Sequence, residues 1–349
     1  MSRYYYLIAG LPMLTFEGGK PPFTALEFKE EAAKHLTKAD ARLFEFLQLK
    51  TDTKNLLKQL QKPDCEMING GKITIDEINA LISGVKAEYK LKKEIKEYNI
   101  EAEAYNKEEE ENYKVAMEEY VKLDYYDQKF LTKKPQLQLR RFKKPLKKLF
   151  KNKNKCLPAY FEKFTRLYLT SVENGEEIKI PWDDRLLSMY YEYAMKRSNV
   201  FLSAWFECNL NINNIYTALT CRKYKIDREN YIVGDTEISN KLRTSTARDF
   251  ELSETLTYLI PVLQIAEDPE ILQREWRTNQ IKWEWLDRQI FPNVFDLENV
   301  ITYWLKIEMQ EHWLSLDKVE GEKAFRQIVG PLKKSSTHIL EEFKRNNKK

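Results

Sequence analysis

Apolar residues recur every three or four positions along most of the chain. Between residues 22 and 62 two such stripes follow one another. The first is Phe23, Leu26, Phe28, Ala32, Ala33 and Leu36; the second is Leu43, Phe44, Phe46 and Leu47. That period predicts a helical pair, with Thr37 of "LTKAD" capping the second helix. "PDCEMINGGK" reads as a loop closed by Gly70 and Gly71, and Thr74 with Glu77 has the spacing of a capping box. From Ile78 to Phe130 the pattern stays helical without a proline. Within it Leu91, Ile95, Tyr98, Ala102 and Tyr105 form a short heptad seam, which predicts a long helix packed in a bundle. The seam slips at "KEEEEN" and resumes in another register at Tyr113, Met117 and Tyr120. After Leu157 the periodic segments return, and Pro181 fits the first turn of a helix through "WDDRLLSMYYEYAMKRSN". Trp276, Trp283, Ile290 and Phe291 share one helical face, with Trp285 pointing elsewhere, and such a stripe predicts core packing.

The first residues, "MSRYYYLIAGLPML", carry one cation and are broken by Gly10 and Pro12. They lack the charged head, long apolar run and small-residue cleavage site of a secretion signal, and they are too short to cross a bilayer. We read them as pinned into the protein's own core. Gly at 10 and Pro at 12 of 349 residues are few turn formers, and alternating Val/Ile/Thr runs are nearly absent. The fold class is therefore all-α, with about ten to twelve helices. Cys65, Cys156, Cys208 and Cys221 form no C-x-x-C pair and read as reduced thiols of a cytosolic compartment.

A net charge of +4 implies no partner by itself, but its distribution does. An acidic helix around Glu101 to Glu119 is followed by a segment, Lys129 to Lys155, with ten lysines, two arginines and no acid. Residues 1–85 thus read as an N-terminal helical lobe, 86–156 as a long charged helix plus basic segment, and 157–349 as a C-terminal pair of lobes. Leu and Phe interleave with the cations, a pattern that suits phosphates with stacking bases, an anionic membrane, or an acidic partner subunit. A loop that balances the acidic helix is the plainer reading.

Signatures of catalysis are missing. "GGK" occurs at Gly18–Lys20 and Gly70–Lys72, both outside the G-x-x-x-x-G-K-[ST] frame, so both read as turns. His35, His312 and His338 lie in unrelated segments, never at the i, i+4 spacing of a metal pair. No G-x-S-x-G elbow occurs. The expectation is a protein with no enzymatic activity, cofactor, metal or small-molecule substrate.

Two segments of the second half have a common pattern. "YAMKRSNVFLSAWFECNLNINNIYTALTCRKYKID" and "LENVITYWLKIEMQEHWLSLDKVEGEKAF" each lead through aromatic and aliphatic residues to Glu207 or Glu308. A polar residue follows, Asn211 or His312, and a basic one, Arg222 or Lys323. "ECNLNINNIYTALTCR" resembles the helix pairs of the C subunit of V-type and archaeal-type rotary ATPases, called subunit d in eukaryotic complexes. "NVITYWLKIEMQ" resembles that family's closing helix, with His312 and Trp313 where Asn and Leu are expected. "YYYLIAGLP" with the following "PPF" resembles an uncharacterised bacterial family encoded in V-type ATPase operons. Residues 86–155 match nothing in the C subunit.

The resemblance implies a multi-lobed, funnel-like helical bundle with pseudo-repeated sub-bundles. It implies a monomeric, non-catalytic adaptor peripheral to the cytoplasmic face of the membrane, with the rotor ring and central stalk as partners. The residues assigned to partner binding are Glu207, Asn211, Arg222 and Glu308, together with Arg140, Arg141, Lys143, Lys144, Lys147 and Lys148 of the basic segment. The alternative is a nucleic-acid-binding or generic helical scaffold protein that uses residues 129–155.

Overall fold

The computed structural model describes residues 4–17, 20–63, 65–130, 133–144, 157–175, 180–291 and 295–316. Among these residues there are twelve helices and no strand. The chain is all-α, a multi-helix bundle. It divides into two compact units, one of residues 1–48 and 187–349, the other of residues 49–186. Both cuts fall inside helices, α3 (Lys38–Gln61) and α7 (Trp182–Arg197). No described helix is long and apolar enough to cross a membrane.

The unit of residues 49–186 holds the later part of α3, then α4 (Ile75–Lys122), α5 (Tyr125–Phe130) and α6 (Ala159–Asn174). α4 starts at the expected capping box. The Thr74 hydroxyl accepts the Glu77 N–H, and the Glu77 carboxylate accepts the Thr74 N–H. It ends sooner than the unbroken pattern predicts, because the Gln128 side chain donates to the carbonyls of Tyr120 and Leu123, satisfying a helix terminus. The loop before α4 folds onto α3. The carboxylate of buried Asp52 accepts the N–H groups of Lys72 and Ile73, at 3.2 and 3.1 Å. Burial raises its pKa, and those two backbone bonds oppose the rise. The second "GGK" is a turn, with Gly70 at φ +98°, whereas Gly18 and Gly19 lie outside the described residues. At Gly71 a Cβ would stand 2.2 Å from Asp52 Oδ1, so only glycine lets the backbone come this close. The Thr53 and Tyr160 hydroxyls meet at 2.7 Å, and Phe161 and Phe164 are fully enclosed.

The other unit is organised around α8 (Val200–Tyr224), which has buried side chains from Phe201 to Cys221. Its Cys208, Ile212, Ile215 and Ala218 pack with Ile238 and Leu242 of α9 (Glu237–Thr244), Leu259 and Val262 of α10 (Leu259–Ala266), and the linking residues Phe250 and Leu252. Burying such side chains contributes about 1.5–3 kcal/mol each. α11 (Ile271–Ile290) packs on α12 (Leu297–Ser315), and α12 packs on α2 (Ala25–His35). The tryptophan stripe separates as expected at two positions. Trp283 is buried beside Phe16, while Trp285 turns to Trp205. Phe291 does not join the core and is 84% exposed.

The opening segment is tied down on one side only. After a short α1 (Tyr5–Ala9), Pro12 and Thr15 offer their carbonyls to Tyr303 and Gln310 of α12, at 3.0 and 2.9 Å. The Tyr4 hydroxyl donates to Asp40, whereas Tyr6 is 90% exposed.

The ion cluster of Glu88, Arg166 and Glu162 ties α4 to α6, and Lys92 joins it at 2.6 Å from Glu88. Arg166, with Lys92, lowers the pKa of Glu88 against the opposing effect of burial. Because this carboxylate titrates lower folded than unfolded, its contribution is present above the unfolded pKa of about 4.5 and is lost as pH falls through the folded value. Glu88→Gln should cost about 2 kcal/mol at pH 7, a cost that shrinks steadily below pH 4.5. Urea denaturation at several pH values measures it, and a pH-independent cost would contradict this account.

Candidate functional site

The basic segment was the strongest sequence candidate, and its described part, residues 133–144, has an extended path along α4. Two asparagines of the helix hold it. Asn99 Nδ2 donates to the Lys143 carbonyl at 3.0 Å, and Asn99 Oδ1 accepts the Lys143 N–H at 2.8 Å. Asn106 treats Arg140 the same way, at 3.1 and 2.7 Å. The register follows from two repeats. Seven helical residues rise about 10.5 Å, and three extended residues span about 10 Å, so a heptad on the helix meets every third residue of the strap. The strap therefore runs antiparallel to the helix.

Beside each asparagine stands a tyrosine. The Arg140 guanidinium lies 4.1 Å from the Tyr105 ring centroid, and the Lys143 ammonium lies 4.2 Å from that of Tyr98. Ala102, between the two rungs, is 1% exposed. Tyr98 and Tyr105 of the heptad seam thus meet an extended strap, with Ala102 enclosed between them. The next heptad carries the pair in reverse order, Asn112 then Tyr113. This turns the carboxamide about one residue, near 100°, around the helix, and no third rung forms among the described residues. All four strap hydrogen bonds are exposed. Each contributes about 0.5–1.5 kcal/mol net, and each ring contact about 0.5–1.

The structure thereby sorts the cationic candidates. Arg140, Arg141, Lys143 and Lys144 are all exposed, and what separates them is that Arg140 and Lys143 each also meet a tyrosine ring and an asparagine. Lys147 and Lys148 lie outside the described residues. The asparagines had gone unread, although "EYNIEAEAYN" repeats the Tyr-Asn pair at the heptad interval.

The candidates on α8 and α12 do not form one site. Asn211 is 1% exposed, its Nδ2 reaches the Tyr258 hydroxyl only at 3.4 Å, and its Oδ1 has no partner among the described residues. Half-buried Glu207 lies near the same group. There burial pushes the Cys208 thiol up to about 12 and lowers the Lys282 ammonium. A thiol of that pKa is protonated at neutral pH and a poor nucleophile. Glu308 is exposed, as is His312, so the second glutamate–polar pair does not repeat the environment of the first. Lys323 lies outside the described residues.

Arg222 has a structural task. Its guanidinium donates to the carbonyls of Ala247 and Arg248 at 2.7 and 3.1 Å and lies 4.1 Å from the Phe250 ring. Burial lowers its pKa, with help from Arg228. It also edges a groove of about 790 Å³ in which Lys223, Arg248 and Arg274 face Asp249, Glu267 and Asp268. Both signs of charge line it, so it is not a single-sign surface. Among the described residues no three His, Cys, Asp or Glu side chains are placed to hold a metal.

The same carboxamide clamp recurs at two buried asparagines. Asn55 holds both main-chain groups of Ile68, and Asn214 those of Val233. Asn214→Ala should cost about 2–3 kcal/mol, because buried partners are left unsatisfied. Asn106→Ala should cost no more than about 1 kcal/mol, because water replaces the lost bonds. Chemical denaturation of both variants checks the difference, and equal costs would refute it.

Compared with known proteins, the chain matches no curated protein and no solved structure. One family model does match, over residues 1–142 and 130–336. That span takes in the N-terminal helices, the α4 arm with its strap, and the α8–α12 core, and the chain belongs to the family described as Protein of unknown function (DUF2764).

Proposed function

We propose that the protein is a non-catalytic adaptor of a V-type rotary ATPase, linking the membrane rotor ring to the central stalk. The family description leaves function open, and the support lies elsewhere. The sequence likeness at Glu207–Arg222 and at the opening "YYYLIAGLP" points to that machine. The observation that carries the reading structurally is the α4 arm. Its 48 residues make a rod about 72 Å long, with a cationic strap clamped along it. A rod of this kind suits reach and the transmission of force.

In this reading the docking contacts are Arg141 and Lys144, which keep their charge in solvent, and the partner surface is an acidic face of the stalk or ring. Each exposed ion pair would add only about 0.2–1 kcal/mol, so the strap orients the partner more than it holds it. The second reading, nucleic-acid binding, is favoured by Leu139 and Phe142, about half exposed beside those cations.

The test is purification of the tagged protein from its native cells at low salt. Rotary ATPase subunits should co-purify, and Arg141→Glu with Lys144→Glu should reduce their yield at least fivefold while circular dichroism stays unchanged. Absence of ATPase subunits rejects the adaptor reading. Undiminished recovery with the double variant rejects the docking assignment. Salt-sensitive retention of nucleic acid in their place selects the second reading.

A further inference from the structure

We infer that the Tyr98–Asn99 and Tyr105–Asn106 face of α4 is a binding site for an extended basic peptide. The chain's own residues 140–143 are its resident ligand, and a partner's segment of the same pattern takes their place. This does not depend on the adaptor reading.

The ligand's chemistry is legible from the occupant. Each carboxamide pairs with both the N–H and the C=O of one residue, at 2.7 to 3.1 Å. That contact demands extended backbone and is indifferent to the side chain. The rings add the side-chain requirement, since a cation must lie over each face, as Arg140 and Lys143 do. Seven residues on the helix against three on the ligand fix the spacing, so the site reads cation-x-x-cation. Glu101, Glu103, Glu108 and Glu109, exposed or half-exposed on the same helix, add an attractive field.

That the occupant is exchangeable follows from what it fails to bury. Leu137, Leu139 and Phe142 are 40%, 49% and 49% exposed, so the described strap contributes no enclosed apolar side chain. A strap serving stability would turn those groups inward, as the apolar residues around α8 do. Exposed polar bonds and two cation–ring contacts hold it, and an equivalent chain can replace them one for one. The clamp at Asn214, buried on both partners, has no such freedom.

The probe is a fluorescein-labelled peptide of residues 136–144, QLQLRRFKK. Fluorescence anisotropy compares the full chain with a variant whose residues 136–144 are a Gly-Ser linker of equal length. The tethered strap competes at high effective concentration, so the linker variant should bind the peptide at least tenfold tighter than the unmodified chain. In the linker variant, Asn99→Ala with Asn106→Ala should weaken binding at least tenfold. A peptide of the same composition reordered as RRQLLKKFQ, in which no two cations are three residues apart, should bind at least fivefold weaker. Equal binding by both chains, no effect of the asparagines, or equal binding of the rearranged peptide overturns the proposal, the last by reducing the site to net charge. If the linker variant does not fold, amide hydrogen exchange on the unmodified chain decides. The Arg140 and Lys143 amides should exchange faster in excess peptide, and unchanged exchange rejects displacement.

Discussion

A non-helical segment running beside a helix must send its main-chain N–H and C=O groups somewhere. With no strand among the described residues, no sheet ladder receives them. Four asparagines do, each placed on a helix and each holding both groups of one residue: Asn55 on Ile68, Asn99 on Lys143, Asn106 on Arg140 and Asn214 on Val233. A carboxamide is suited to this because it carries a donor and an acceptor side by side. It copies, from a side chain, what a neighbouring strand would supply. The routes of the loop before α4, the strap along it and the turn after α8 all rest on this contact.

Where one asparagine does not suffice, arginines finish the work. The irregular stretch between α8 and α10 offers its carbonyls to Arg222, Arg228 and Arg243. Phe250 and Glu251 stand there at positive φ, an arrangement that needs surrounding contacts to hold it. Arg222, expected to meet a partner, is thus committed to keeping its own chain in place. A guanidinium with five donors and no acceptor serves carbonyl groups well. Burial decides what such a contact is worth. Inside, losing it strands polar groups away from water; outside, water takes over.

Helix positions and most of the core were legible in the sequence because both follow from local periodicity. The capping box at Thr74 and Glu77, the cap at Thr37, the turn at Gly70 and the burial of Trp283 were all read from spacing alone. The strap was not, because its partner lies 34 to 44 residues away in the chain. Hydrophobic periodicity marked Tyr98, Ala102 and Tyr105 as a packed face but said nothing of what covers it. Composition placed segment boundaries near residues 85 and 156, where charge changes. The compact units divide inside α3 and α7, where nothing in composition changes. Of the site residues, the gripped cations Arg140 and Lys143 were found through their charge. Asn99 and Asn106 were overlooked, since a lone asparagine on a helix surface is unremarkable until its heptad repeat is noticed.

The charge pattern itself changes meaning once folded. Along the chain an acidic block precedes a basic one, which suggests two opposed patches with a long-range field. The described strap instead lies antiparallel on the acidic helix, so charges that are distant in sequence become neighbours. Opposite charges at such separations cancel beyond a Debye length of about 8–10 Å, and the field felt by a distant partner is smaller than either block implies. Arg140 and Lys143 are further tied to the tyrosine rings. What remains for recognition is short-range: individual exposed cations, exposed Leu and Phe side chains, and a backbone held in a defined register. Selectivity on this arm therefore rests on geometry at contact, and electrostatic steering from afar is the weaker contribution.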